Sequence, residues 1–401
     1  MILPKILKWE FWPSWIMYLP VAVWLIAQGL KKGSLLHFLS ANPGLRFGGL
    51  LEYSKSAMLE GIPGSYLPKT HYFKELPGSG SGSSGSSGNR SGGAIGVIAR
   101  GAGAKAGARA DAGERASAGA AEIEGIMKKL GLAYPVFLKP DMGERGMGVE
   151  RVHGRSEVLR YLRTYHEAAG MKSSLQSPPK SSLQFSMGPA IILQENISGG
   201  EEYGVMVVKN PVSGEPRIRS LVIKEPLSVQ GDGVSTLAQL IRRGARTRYH
   251  RRRLENLHRF NLHEILSAGE ERVLMDIGNH ARGVTFRNGN HLISPALLKV
   301  FAPLADCIPE FYLGRFDVKT RNIRALERGE FRIIEINGVN SEPAHIYELD
   351  LFTAWVHLLR HWRMVSAISS LNIERGFRPE SSARLLRALR QHALRRKYFR
   401  E

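Results

Sequence analysis

Apolar positions along the chain change their rhythm several times, and each change marks an element. From Phe11 to Leu30 no charged residue occurs, and Trp12, Trp15, Tyr18 and Trp24 stud the run. A helix of this length is about what a ~30 Å hydrocarbon core requires. Pro13 and Pro20 interrupt the pattern, so a kinked interfacial or re-entrant helix competes with a full span, and a buried hairpin is the third reading. Lys5 and Lys8 precede the run and Lys31 and Lys32 follow it, which sets no orientation. No small-residue cleavage site of a signal peptide follows.

Beyond residue 121 the periodicity is regular. Ile123–Leu130 reads as a short amphipathic helix ended by Gly131, and Glu157–Ala168 as a second helix. Val136–Leu138 and Val149–Val152 read as strands around a glycine-rich turn, and Ser173–Ser186 as a polar loop. Ala190–Leu193, Tyr203–Val208, Ile218–Lys224, Leu313–Val318 and Phe331–Ile336 read as further strands. Leu237–Arg243, Pro295–Ile308 and the tail from Leu351 read as helices. This uneven alternation, with hairpin-like strand pairs, predicts α+β lobes rather than a doubly wound sheet. Gly78–Ser91 is almost entirely Gly and Ser and cannot bury enough apolar surface to order itself; Gly101–Ala121 is Ala/Gly-rich and weakly helical or disordered. The expected division is therefore an apolar amino-terminal segment with a reduced first lobe (1–77), a linker (78–121), a central lobe (122–190), a carboxy-terminal lobe (191–350) and a basic helical tail (351–401).

Composition changes this picture in two ways. The net charge of +20 is concentrated at Arg242–Arg259 and in the tail Arg375–Arg400, where Arg384, Arg387 and Arg390 sit beside Leu385, Leu386 and Leu389. Solvated helix faces account for such runs; the functional alternatives are an anionic membrane surface, an acidic substrate and, last, nucleic acid, since no stacking motif or recognised nucleic-acid module accompanies the arginines. The single cysteine, Cys307, rules out an intrachain disulfide; its apolar setting reads as a small buried hydrophobe, and its isolation fits a cytoplasmic chain, attached to the cytoplasmic membrane if residues 11–30 are its anchor.

Candidate chemistry lies in the strands. Lys139 ends the strand Val136–Leu138 and is followed by the turn Gly143-Glu144-Arg145-Gly146-Met147-Gly148, whose glycines let backbone amides approach an anion; a plain hairpin explains such a turn equally well. Glu335 and Asn337 are two apart and share a strand face, and Asp317 on the preceding strand, with Arg315 two residues earlier, can face them across the connection Thr320–Glu330. Three oxygen-bearing side chains in an apolar surround suit magnesium, or manganese in its place. The segment Gln194-Glu195-Asn196-Ile197 to Glu202 lies between two strands, where backbone groups can meet a base and a carboxylate can meet ribose; Lys224 can reach phosphate. No Cys/His or Ser/His pair offers a nucleophile, and His280 or His345 is at most a base.

The order Lys-Pro, glycine-rich turn, Gln-Glu-Asn-Ile-x-Gly-x-Glu-Glu-Tyr, Gly-Arg-Phe-Asp and Ile-Glu-Ile-Asn-Gly resembles the ATP-grasp superfamily, in particular D-alanine–D-alanine ligase-like enzymes and the ATP-grasp part of cyanophycin synthetase. The resemblance covers roughly 122–345 and includes Gly231-Asp232-Gly233-Val234-Ser235-Thr236. It implies an α+β ATP-grasp fold in which two lobes grip ATP. It further implies that Lys139 contacts the α- and β-phosphates, that Gly143, Gly146 and Gly148 belong to the loop over the triphosphate, and that Gln194, Glu195 and Ile197 border adenine with Glu202 on the ribose. Asp317, Glu335 and Asn337 would hold magnesium, with Arg315 at the acyl-phosphate. Lys55 matches the family's earlier ATP lysine on resemblance alone. The implied activity joins small-molecule carboxylate and amine substrates at the expense of ATP; a phosphotransferase, or a membrane-associated ATP-binding module without turnover, are the alternatives. The chain departs from the family at 78–121 and in lacking a full substrate domain before Lys55.

Overall fold

The structure, a computed structural model, describes residues 9, 12, 14–78, 112–143, 146–173, 191–275 and 283–398. The Gly/Ser run from residue 79, Glu144 and Arg145 of the glycine-rich turn, the polar loop from residue 174 and His280 lie outside the described residues. The chain is a mixture of helices and antiparallel sheets and divides into two compact units: Met1–Leu50, Gly199–Phe331 and Asn337–Ser381 form the first, and Leu51–Ser198, Arg332–Ile336 and Ser382–Glu401 the second.

The second unit is built on a four-stranded sheet in the order β1 (Thr70–Phe73), β4 (Ile191–Glu195), β2 (Val136–Pro140) and β3 (Glu150–Val152). Side chains alternate across a strand, so Val136 and Leu138 enter the core with Ile191, Leu193, Tyr161 and Leu162, while Lys139 takes the opposite face. Two helices complete that core, α3 (Ala112–Leu130) and α4 (Arg155–Ser173). Helix α3 begins at Ala112, well before the predicted Ile123. Its Ala/Gly stretch, which reads as weakly helical in sequence, is a packing surface: Ala116 and Ala120 are fully buried, and a Cβ at Gly119 would meet the Pro77 carbonyl oxygen at 2.5 Å. Helix α2 (Lys55–Leu59) is capped by Ser54, whose hydroxyl accepts from the Ala57 amide. Helix α10 (Ser382–Tyr398) also belongs to this unit.

The first unit centres on a sheet ordered β11 (Phe331–Asn337), β10 (Leu313–Thr320), β5 (Glu201–Lys209), β6 (Pro216–Glu225) and β9 (Thr285–Asn288), of whose strand β11 only the end residues Phe331 and Asn337 are counted with this unit. The register sets Asp317 against Gly204 and Glu202 against Lys224. Helix α7 (Pro295–Asp306) is capped by Ser294 with proline at its first turn, and its Phe301 stacks on Phe331 at 5.1 Å and meets Phe316 edge-on at 5.7 Å. The predicted connection between β10 and β11 contains a short helix, α8 (Ile323–Glu327), capped by Asn322. Cys307 caps α7 and is half-buried rather than in the core; burial raises its thiol pKa. A satellite of β7 (Leu227–Gln230), α5 (Leu237–Arg243), α6 (Arg251–Leu257) and β8 (Glu271–Met275) has its own apolar centre of Leu227, Leu237, Ile241, Leu254, Leu266 and Leu274. Helix α1 (Ser14–Lys31) packs Met17 and Val21 with Leu358, Trp362 and Val365 of α9 (Leu351–Glu374). Among the described residues no helix is long and apolar enough to cross a membrane, and Pro20 lies inside α1. Of the three readings of the amino-terminal run, the full span is therefore not realised by any described helix.

Candidate functional site

The predicted residues fall into two clusters, one in each unit. In the second unit, the parity of β2 that sends Leu138 inward brings Lys139 onto the other face, where it is 5% exposed. Its ammonium donates to Gln194 Oε1 at 2.9 Å and to the Ile334 carbonyl oxygen at 3.2 Å. Among the described residues no carboxylate stands within ion-pairing distance of it. Burial pushes its pKa down to about 8; the field of Glu335 opposes that, Lys55 adds to it and Asp141 opposes it. Gln194 sits on β4 directly behind this lysine and keeps its own Nε2 buried with no hydrogen-bond partner among the described residues. A buried cation and a buried orphan amide side by side suit an anionic ligand with an acceptor atom.

Lys55 approaches the same strand from α2. Its Nζ donates to the Gly143 carbonyl oxygen and lies 3.9 Å from Glu335, and its backbone amide donates to the Asp141 carbonyl at 3.1 Å. Asp141 fastens the start of α2: its carboxylate accepts from Ser54 Oγ at 2.6 Å and from the Ser56 amide at 2.7 Å. Asp141 was not singled out by the sequence, although it is the acid between the Lys-Pro pair and the glycine-rich turn. In that turn Gly146 and Gly148 take φ of 74° and 69°, which favours glycine. Gly148 is also pinned sterically, because a Cβ there would meet the Tyr165 hydroxyl at 2.5 Å, and its carbonyl accepts from Tyr161 at 2.9 Å. Glu195 is stitched to the strand entry: its carboxylate accepts from the Lys69 amide at 2.9 Å and its amide donates to the Lys69 carbonyl at 2.8 Å. Ile197 is half-buried in the coil after β4.

The first unit holds the other cluster. Asp317, 3% exposed, accepts from Arg315 Nε at 2.7 Å on one oxygen. On the other it accepts from Arg315 Nη2 at 3.1 Å and Asn337 Nδ2 at 3.2 Å, with Lys224 Nζ at 3.1 Å. Lys224 also donates to Glu202 at 2.7 Å, its partner across β5 and β6. Burial alone would raise the Asp317 pKa, but Arg315 and then Lys224 outweigh it and hold the carboxyl below its ordinary range. Burial likewise opposes the Lys224 charge, and Asp317 and Glu202 outweigh it, so its pKa is raised. Gly204 makes this pairing possible. Added to it, a Cβ would meet Val222 Cγ1 at 2.7 Å, Arg315 Cδ at 2.9 Å and Asp317 Oδ1 at 3.2 Å. A glycine inside a strand signals such a close approach, and it was missed. Asn42 was missed as well: fully buried, it donates to the Gly48 and Leu313 carbonyls and accepts from the Tyr312 and Leu313 amides, which fixes the entry to β10.

Asp317, Glu335 and Asn337 offer only oxygen ligands, the chemistry magnesium takes. Among the described residues no group of three or more His, Cys, Asp or Glu side chains is placed to hold a metal. His345, a candidate base, is buried and committed: Nδ1 meets Ser220 Oγ and Nε2 meets His357 Nδ1, each at 3.1 Å. Burial first, then His357 and Arg219, lowers its pKa to about 4, so it stands neutral.

No protein-family model matches the chain, and no curated protein matches it. Solved structures to which it is similar include ligases, synthetases and biotin carboxylases. They include D-cycloserine synthetase DcsG, at 12% identity over 80% of this chain and 70% of that one, with a TM-score of 0.37. A bifunctional glutathione synthetase from Pasteurella multocida matches at 12% identity over 75% of this chain, with a TM-score of 0.31, and D-alanine–D-alanine ligase from Bacillus anthracis at 11% over 63%, with a TM-score of 0.30. The chain spans 35% of the length of the first of these two and 59% of the second. These likenesses are shallow.

Proposed function

We propose that the chain is an ATP- and magnesium-dependent ligase that joins a carboxylate to an amine through an acyl-phosphate. The observation that carries this reading is Lys139: a buried ammonium held by two neutral oxygens, with no carboxylate at bonding distance among the described residues and an unpartnered Gln194 amide beside it. Phosphate oxygens would supply the partner Lys139 lacks, and an acceptor nitrogen of adenine the one the Gln194 amide lacks. Lys55 and the amides around Gly146 and Gly148 add cationic and N–H groups for the same anion. Asp317, Glu335 and Asn337 would hold magnesium. Gln194, Glu195 and Ile197 would border adenine and Glu202 the ribose, at the cost of part of its pairing with Lys224.

When bound, ATP and its magnesium supply an electrophilic phosphoryl group whose charge is partly neutralised. Lys139 orients the phosphates by charge-assisted hydrogen bonds. Arg315, aligned by its fork on Asp317, presents cationic N–H groups where charge develops on an activated carboxyl. No protein nucleophile is called for, which agrees with the neutral, internally bonded His345.

One observation favours a second reading. Both Asp317 oxygens are already engaged by Arg315, Lys224 and Asn337, which suits an ATP-binding module without turnover, or a phosphotransferase with another acceptor. The test is phosphate release from ATP with pooled carboxylates and amines. The ligase reading expects release that needs both pools and falls roughly a hundredfold or more in Glu335→Gln. Release that needs neither pool, or that survives Glu335→Gln, overturns it; tight ATP binding with no release across the panel selects the second reading.

A further inference from the structure

Helix α1 has two apolar faces, and only one of them is covered. Met17 and Val21 are buried against α9. Trp15, Leu19, Val23, Ile26 and Leu30 recur at helical spacing on the other side and are between 54 and 72% exposed. The stripe faces away from α9, to which α1 is fastened by one hydrogen bond between the helices and by two more from the residues that flank α1. Trp9 Nε1 donates to the Leu349 carbonyl at 2.9 Å, Trp355 Nε1 to the Met17 carbonyl at 3.1 Å, and Lys32 Nζ to Ser366 Oγ at 3.1 Å. The same bonds set the two helices parallel.

We propose that this stripe lies in the plane of an anionic membrane surface, with the apolar side chains among the lipid chains and the first unit held outside. Charge selects this occupant over a second copy of the chain. At +20, two copies repel one another while an anionic bilayer attracts. The α1–α9 pair itself carries Lys31, Arg360 and Arg363 against one acidic residue, Glu374. An exposed tryptophan at one end and a lysine at the other suit the headgroup boundary, and a helix apolar along its outer face, in a chain where no described helix is long and apolar enough to cross a membrane, is the form that binds in plane. The inference stands on surface geometry and is independent of the nucleotide reading.

The test is co-sedimentation of the full chain with phosphatidylcholine vesicles with and without phosphatidylglycerol. The wild type should bind the anionic vesicles. Binding should drop at least about tenfold without phosphatidylglycerol and in the Leu19→Glu/Val23→Glu double variant. Both positions are solvent-exposed, so thermal unfolding of that variant should match the wild type. Should it fail to fold, brominated lipid decides: fluorescence quenching on anionic vesicles should fall in Trp15→Phe. A wild type that ignores anionic vesicles, a double variant that binds as well, quenching unchanged in Trp15→Phe, or a stable dimer dispersed by the double variant overturns the proposal.

Discussion

A lysine kept charged in a protein interior is costly, and the cost at Lys139 can be measured. Its folded pKa is lowered to about 8 from 10.5. Between those values the unfolded chain binds more protons than the folded one, so Lys139 makes stability rise with pH across that window and depresses it below. Lys139→Met should therefore stabilise the ligand-free chain at neutral pH by on the order of 1–3 kcal/mol. That gain should shrink as pH climbs from about 8 towards 10.5, as denaturant titrations of both proteins would reveal. Asp317 works with the opposite sign. Its lowered pKa contributes stability that is complete above 3.8, the unfolded value, and lost as pH falls through the folded one. Lys224→Met removes part of that support, so acid unfolding should begin at higher pH than in the wild type. Gly204 tests the geometry: Gly204→Val should displace the Arg315 fork and cost roughly 1–3 kcal/mol, whereas the same change at Gly199, where an added Cβ meets nothing within 4 Å, should strain the backbone only.

The strands that carry the candidate site were legible because alternation fixes a face. Glu335 and Asn337 share one side of β11, and Arg315 and Asp317 one side of β10, by periodicity alone. What periodicity could not give is which group each polar atom meets. Gln194, expected at adenine, holds Lys139 from a strand 55 positions along the chain, and Glu202, expected at ribose, pairs with Lys224. Asp141 went unnoticed for the same reason, since its partners Ser54 and Ser56 lie far away in sequence on α2. Asp141→Ala should free the start of α2 and weaken nucleotide binding roughly tenfold with little change in global stability, read by calorimetry and thermal unfolding in parallel. Short elements, β1, β7 and β9 among them, carry too few residues for a pattern. Helix α3 was under-read because Ala and Gly have weak periodicity but pack closely.

At the scale of the whole chain, each unit has its own core and its own charged cluster. The arginine run Arg242–Arg259 lies in and after the α5–α6 satellite, where Arg242 and Arg251 both pair with Glu255; part of that charge is spent on local structure. The central proposal is that Lys139 binds the phosphates of a nucleotide and that Asp317, Glu335 and Asn337 are magnesium ligands. Calorimetric titration of the wild type, Lys139→Met and Asp317→Asn with ATP, with and without magnesium, tests it most directly. The account predicts magnesium-dependent binding by the wild type and affinity lowered about a hundredfold or more in Lys139→Met. In Asp317→Asn the dependence on magnesium should be lost. Binding that is indifferent to magnesium, or that Lys139→Met leaves intact, would contradict it.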